Sequence, residues 1–357
     1  MDFTQIKEIN GLRGPILITG HTGFKGTWLT LLLEYLEIEC VGFSLQPEFN
    51  SLFDRAGRKG ALPEFFEDIR DFAKVEEMLK IYRPTAVIHM AAQPLVLDSY
   101  KAPRQTFETN VMGTANILDA SFETQSVEAV IVVTTDKVYK NQEIGKRFIE
   151  SDALSGKDPY SASKVGTESA VSAWQHISNV SGGPKVVSVR AGNVIGGGDW
   201  AQARLLPDLI RGFESKNRIE IRNPESTRPW QHVLDPLMGY LKVLNAVLGG
   251  KNAEAFNFGP SGESLTVRDV AELASTTWGH TAGIDYVQNP LEQYHESVNL
   301  SLDSSQARDY LNWDSKWSQA ESVVATVEWW KSVLQKRETP IQACLNDIGT
   351  MMQFRTK

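Results

Sequence analysis

Pro15-Ile16-Leu17-Ile18-Thr19-Gly20-His21-Thr22-Gly23-Phe24-Lys25-Gly26, continuing as Thr27-Trp28-Leu29-Thr30-Leu31-Leu32-Leu33, decides the fold. The short apolar run Pro15 to Thr19 reads as a buried parallel strand. Gly20, Gly23 and Gly26 come next in a GxxGxxG spacing, and then Leu29, Leu32, Leu33 and Leu36 recur at helical spacing. Strand, glycine loop and helix in that order form a variant of the dinucleotide fingerprint. Glycines there let the turn close, the backbone approach a pyrophosphate and the helix pack on the strand. The start of the helix adds free N–H groups and a dipole that favours phosphate. Gly20, Thr22, Gly23, Phe24, Lys25 and Gly26 are therefore candidate cofactor-binding residues.

The pattern continues outward from this unit. Glu39 to Ser44, Phe65 to Asp71, Ala86 to Met90, Ala129 to Val133 and Lys185 to Arg190 read as further strands. Helical patterns over Ala73 to Ile81, Phe107 to Phe122 and Ser161 to Ile177 alternate with them. Such alternation predicts a doubly wound parallel sheet, a Rossmann fold, whose ligands sit at the carboxyl ends of the strands. Beyond Arg190 the pattern becomes loop-rich. We expect a smaller mixed α/β C-terminal substrate domain built from 191–231 and 259–357. The NAD-binding Rossmann domain then spans 1–190, with 232–258 returning to it as a helix and a strand. The tail from Lys336 to Lys357 has no assigned role.

With 41% hydrophobic and 22% charged residues, the chain has the make-up of a packed protein rather than a disordered one. A formal net charge of −8 argues against nucleic acid as the main partner. No run is long and apolar enough to span a membrane, and the first residues lack the apolar core of a signal peptide. A cytoplasmic enzyme is expected. Cys40 and Cys344 form no disulfide framework, and the histidines show no metal-ligand spacing, so no metal is expected. His89, inside a strand, reads as a packed core residue.

Tyr160-Ser161-Ala162-Ser163-Lys164 is YxxxK at the start of a helix, after Asp158-Pro159. Residues four apart share a helix face. A lysine charge beside a phenol favours the phenolate, so the tyrosine can act as a base. With GxxGxxG before it, this pair resembles the extended, nucleotide-sugar branch of the short-chain dehydrogenase/reductase superfamily. The resemblance implies NAD as cofactor, Tyr160 taking the proton from a sugar hydroxyl, and Lys164 lowering the tyrosine pKa and binding the nicotinamide ribose. The second strand ends without an acidic residue to hold a ribose 2′-hydroxyl, so the residues there leave NAD and NADP open. Asp68, with Ile69, suits an adenine amino group, and equally a helix cap.

The fifth strand ends in Thr134-Thr135-Asp136-Lys137. A 4,6-dehydratase needs an acid to protonate the leaving C6 hydroxyl and a base to remove the C5 proton after oxidation at C4. Asp136 is the candidate acid, Lys137 the candidate base, and Thr135 the hydrogen-bonding partner near O4. Together with the glycine loop, Ala91-Ala92-Gln93-Pro94-Leu95-Val96, Thr109-Asn110-Val111-Met112-Gly113-Thr114, Arg190-Ala191-Gly192-Asn193-Val194-Ile195-Gly196-Gly197-Gly198-Asp199-Trp200 and Thr227-Arg228-Pro229-Trp230-Gln231-His232-Val233 resemble the CDP-glucose 4,6-dehydratase family over residues 14 to 315. Thr135 and Val138 stand where that family often has serine and cysteine. The resemblance implies cofactor contacts at Ala91, Ala92 and Asn110. It implies substrate contacts at Gln93, Asn193, Arg204 and Arg228, with His295 bordering the pocket. Arg228 also fits a packing role on Trp230.

The resemblance further implies deoxysugar biosynthesis for surface glycans such as a lipopolysaccharide O-antigen. It implies a homodimer, or higher homo-oligomer, through the Tyr160 helix. Ala162, Gly166, Ala170 and Ala173 suit that close packing, and suit a monomer core equally well. The competing readings are a dehydratase of UDP-N-acetylglucosamine or dTDP-glucose, a 4-epimerase, and a dinucleotide-binding sensor without chemistry.

Overall fold

The computed structural model describes residues 9–141, 145–262, 264–279, 283–287 and 300–353. Seven strands form its central sheet: β1 (Ile16–Thr19), β2 (Cys40–Ser44), β3 (Glu64–Phe66), β4 (Ala86–His89), β5 (Ala129–Val133), β6 (Lys185–Ala191) and β7 (Ala255–Phe258). Their order is 3-2-1-4-5-6-7, and every pairing is parallel. Strands buried on both faces need apolar side chains at every position, which is why β5 reads Ala-Val-Ile-Val-Val and is buried throughout. The order reverses between β1 and β4, so a crevice opens at the carboxyl ends of those two strands.

Helices cover both faces. Here α1 is Phe24–Tyr35, α2 Phe72–Tyr82, α3 Gly113–Phe122, α4 Pro159–Ser181 and α5 Leu234–Leu248. One core holds Trp28, Leu29, Leu32 and Leu33 of α1 with Leu237, Tyr240, Leu241 and Leu244 of α5. The other holds Val75, Met78 and Leu79 of α2 with Ile117, Leu118 and Val171. Beyond residue 231, α5 packs against the sheet and β7 forms its last strand.

Local details sharpen the sequence reading. The third strand is short, because the Asp68 carboxylate accepts from the backbone N–H of Arg70 and turns the chain. Asp71, not Asp68, caps α2, by accepting from Lys74 N. The expected helix from Phe107 starts earlier, at Pro103, and carries a π-helical segment over Glu108–Met112. There the Asn110 carbonyl accepts the hydroxyls of Thr114 and Thr167. Extra donors of this kind accompany a locally widened helix. α4 begins with a capping box, in which Asp158 and Ser161 satisfy each other's backbone N–H groups, and Pro159 sits in the first turn.

Segments before β6, between β6 and β7, and after β7 build three two-stranded parallel pairs beside the sheet: Val194–Ile195 with Gln231–His232, Ile219–Arg222 with Ile284–Val287, and Arg147–Phe148 with Ser301–Leu302. The Gly196-Gly197-Gly198 loop shows why small residues stand there. A Cβ on Gly197 would lie 1.9 Å from the Trp329 indole, and one on Gly198 2.5 Å from Leu52. Trp28 Nε1 donates to the Gly197 carbonyl at 2.9 Å, tying this loop to α1. α6 (Gln319–Leu334) supplies Trp329, and the tail forms α7 (Pro340–Gln353), which packs on α1 and α6. Among the described residues no helix is long and apolar enough to cross a membrane.

Candidate active site

The crevice at the ends of β1 and β4 is shaped by close backbone approach. Gly20 has φ +75°, and a Cβ there would sit 2.8 Å from Ala91 N. A Cβ on Gly26 would sit 2.1 Å from the Gly20 carbonyl, so no other residue fits at either position. A Cβ on Gly23, in contrast, would touch only Gly20 O, at 3.3 Å. Gly23 is the N-cap of α1 and supplies no side-chain cap, and the first turn holds no acidic residue. An uncapped helix start beside an open glycine suits a pyrophosphate. Thr22 reaches the end of β2, sharing a 2.8 Å hydrogen bond with Ser44 and donating to Leu45 O. Lys25 Nζ donates to the Tyr240 hydroxyl at 2.7 Å, and burial, with the charges of Lys164 and Arg204, brings its ammonium down to about 7.

The catalytic candidates meet where β5 ends against the start of α4. Thr135 donates to Asp136 Oδ1 at 3.0 Å and accepts from Lys137 N. Asp136 is buried, and its Oδ2 has no hydrogen-bond partner among the described residues. Burial lifts its carboxyl to about 6, against the charges of Lys137 and Arg228 and the Thr135 hydrogen bond. Pro229 and Gly192 back this carboxyl; a Cβ on Gly192 would stand 3.1 Å from Asp136 Oδ2. The Arg228 charge reaches this carboxyl, and Asn193, half-buried, follows Gly192 in the chain.

Tyr160 is also buried, and Thr135 hydrogen-bonds it. The expected lowering of this phenol by Lys164 is not what the protein produces by itself. Burial pushes Tyr160 up to about 12, with the Asp136 charge adding to it and Arg204 opposing. Lys164 Nζ instead donates to Val133 O at 3.2 Å, and burial brings it down to about 8. Arg204 donates to Asp199 at 2.8 Å, at the far side of the glycine-rich loop, and its charge reaches Tyr160.

Other candidates are placed differently. Asp68 makes a two-pronged ion pair with Arg70, while Ile69 packs beneath Gly113. Asn110 is buried, with Oδ1 accepting from Gln93 N and Nδ2 donating to Gln93 O and Ser163 Oγ. It braces the Ala91-Ala92-Gln93 loop against α4. The Gln93 amide folds back on Leu95. Arg228 donates to Thr227 O. His295 lies outside the described residues. His89 is a core residue between Thr19 and Thr114, and burial drops it to about 3.

Two residues escape a reading of the sequence. Glu168 comes four positions after Lys164 on the same buried face of α4, and its carboxylate meets Arg190 of β6 in a two-pronged ion pair. The 160, 164, 168 spacing is the one signal for it. No group of residues suited to holding a metal occurs among the described residues.

Residues 16–259 match the model of the NAD dependent epimerase/dehydratase family. The chain is 40% identical over 328 residues to a CDP-glucose 4,6-dehydratase of Salmonella typhimurium, covering 89% of this chain and 90% of that protein. It is 24% identical to a dTDP-glucose 4,6-dehydratase of Xanthomonas campestris pv. campestris, over 88% of this chain and 92% of that one. Among solved structures, a UDP-glucose 4-epimerase of Thermotoga maritima with UDP-glucose superposes with a TM-score of 0.78 at 22% identity, covering 90% and 99% of the two chains. A dTDP-glucose 4,6-dehydratase double mutant from Streptomyces venezuelae with NAD bound gives 0.76 at 23% identity, covering 91% and 99%. The chain belongs to the NAD dependent epimerase/dehydratase family, and its cofactor is NAD.

Proposed function

We propose that this member of the NAD dependent epimerase/dehydratase family converts CDP-glucose to CDP-4-keto-6-deoxyglucose and water. The observation that carries the dehydratase reading is Asp136: a buried carboxyl lifted to about 6, with one oxygen unpartnered, next to Lys137 and hydrogen-bonded through Thr135 toward Tyr160. A carboxylic acid that keeps its proton near neutral pH can give it to a leaving hydroxyl. The choice of CDP-glucose rests on the Salmonella relative.

Bound NAD would supply the acceptor for the hydride from sugar C4 and, once reduced, the hydride for C6. The glycine loop Gly20–Gly26 would hold its pyrophosphate, Ala91 and Ala92 would line its path, and Asp68 with Ile69 would border its adenine. Tyr160 takes the C4 hydroxyl proton once its phenol is ionised, which the Thr135 hydrogen bond favours against burial, with Lys164 charged beside it; Thr135 holds O4. Lys137 removes the C5 proton, and Asp136 protonates the C6 oxygen so that it leaves as water. Asn193, Arg204 and Arg228 hold the diphosphate side of the substrate, where guanidinium forks match phosphate oxygens, and Gln93 adjoins the sugar. Residues 191–231 and 259–357 form the substrate-binding part, and 1–190 with 232–258 the NAD-binding part. The enzyme acts in the cytoplasm as a homodimer through α4, making a deoxysugar precursor for surface glycans.

The test is incubation with CDP-glucose, UDP-glucose, dTDP-glucose and UDP-N-acetylglucosamine, each with catalytic NAD, and then mass spectrometry. Loss of water from CDP-glucose supports the reading. Loss from another sugar alone corrects the nucleotide, and no loss from any of them overturns dehydration.

A further inference from the structure

The segment Thr135-Asp136-Lys137 is short, turns through a single 3-10 helical stretch over Asp136–Val138, and has to hold an acid and a base in register with Tyr160 on another element. Its two ends are anchored by the same buried ion pair. At the near end, Thr134 Oγ1 donates to Glu168 Oε1 at 2.5 Å. At the far end, Arg190 donates through one Nη to the Tyr139 hydroxyl at 2.8 Å and to Glu150 O at 3.0 Å, and its guanidinium lies 5.2 Å from the Tyr139 ring centre. Between these ends Glu168 and Arg190 close on each other, Oε1 to Nε at 2.9 Å and Oε2 to Nη2 at 2.8 Å.

The remaining bonds make the pair a fixed point. Ser188 Oγ donates to Glu168 Oε1 at 2.7 Å, and the Tyr139 hydroxyl donates onward to Asn257 Oδ1 at 2.7 Å. Asn257 N in turn donates to Glu150 Oε1. The network thus joins α4, β5, β6 and β7, the layers that carry the site. Burial opposes charge on Glu168, yet the hydrogen bonds and charge of Arg190 hold its carboxyl below the ordinary value. A buried pair this fully bonded gains little net stability over an apolar substitute, and a defined geometry is what it can supply instead.

We propose that Glu168 and Arg190 are positioning residues for elimination: by gripping Thr134 on one side and Tyr139 on the other, they set where Asp136 and Lys137 stand against the sugar. This rests on the dehydratase reading. Oxidation at C4 depends on Tyr160 and Lys164, and Lys164 has its own anchor on Val133 O. Loosening the two outer grips therefore slows elimination far more than oxidation.

The informative variants leave the ion pair and its charge in place. Thr134→Val removes the near grip, Tyr139→Phe removes the far one, and Thr134→Ser keeps the near hydroxyl. Turnover is measured with unlabelled substrate and with substrate deuterated at C4 or at C5, and folding by calorimetry. Misplacement of reacting groups by about 1 Å costs on the order of 10²-fold. We expect Thr134→Val and Tyr139→Phe to lower kcat by about 10- to 100-fold. The C5 isotope effect rises and the C4 effect shrinks toward unity, and Thr134→Ser recovers most of the loss. Equal slowing with unchanged isotope effects would show the network to be structural alone and overturn the inference. So would wild-type kcat in both variants. A wild-type chain that dehydrates none of the sugars overturns the dehydratase reading, and the inference with it, a result distinct from wild-type turnover without the isotope split.

Discussion

Asp235 offers a test of how burial of one charge shapes this protein. It stands in the first turn of α5, fully buried, where its carboxylate accepts from Lys316 N at 2.7 Å and Trp317 N at 3.4 Å. Burial pushes it up to about 7, with those two backbone bonds and the Lys316 charge opposing. An unfolded aspartate titrates near 3.9. Because the folded value is the higher one, the folded state binds the proton more tightly. This group therefore favours the fold most at low pH, and its contribution declines as pH rises from about 4 to about 7 and then levels off. The gap of about 3 pKa units corresponds to about 4 kcal/mol in all, of which about 3 kcal/mol falls between pH 5 and pH 8. Asp235→Asn mimics the protonated form and keeps an oxygen for Lys316 N. Urea unfolding monitored by tryptophan fluorescence, with Trp313 and Trp317 adjacent, reads the difference. The wild type should lose about 3 kcal/mol more than the variant between those two pH values. Parallel pH dependences for the two proteins would refute the argument.

Three further outcomes rest on the same geometry. Gly197→Ala places a methyl 1.9 Å from the Trp329 indole, so stability should fall by at least about 1–3 kcal/mol in calorimetry, and KM should rise more than kcat falls as the Asp199–Arg204 loop shifts. With Asp136 as the acid at about 6 and Lys164 charged below about 8, the elimination rate should fall as pH rises through 6, and oxidation should fall as pH rises through 8. A pH–rate profile of Asp136→Asn should lack the lower of these two declines. Tyr160→Phe should block the first oxidation, while Lys137→Ala should permit it and stop before water loss; isotope labelling at C4 and C5 separates the two.

Much of the fold is legible because parallel strands announce themselves. β5 is an unbroken apolar run, β1 and β4 are apolar up to their last residue, and the glycine loop fixes the turn from β1 into α1. The site candidates at the end of β5 and the start of α4 are legible for the same reason, since strand ends and helix starts face the crevice. The hidden part depends on pairing across distance. Glu168 reads as an ordinary helix glutamate until Arg190 on β6 arrives beside it. The Tyr160 phenol is governed by burial, which sequence spacing does not report. The glycines at 196–198 look like a flexible loop, and prove to be filled space against Val233, Trp329 and Leu52. The helix of the tail escapes notice because half of its face is polar, and its anchor, Cys344 with Ile348 and Met351, becomes apolar cover only against α1 and α6.

The late arrival of β7 bears on how the chain is made. Its register on β6 pairs Ala255 with Ser188 and Phe258 with Ala191, so the sheet stays unfinished on the ribosome until residue 258 has emerged. Until then β6 is an open edge of unpaired N–H and C=O groups, the kind of template on which nascent chains stick to one another. The finished edge is guarded by side chains from far along the chain. Gln175 donates to Glu254 O, Gln306 donates to Ala255 O, and Asn257 is held by Phe148 O and Asp303 O. A chain cut short after the expected boundary at 190 would keep every strand of the glycine-loop half and still present that bare edge, so truncation there should yield aggregates rather than a free-standing cofactor-binding module.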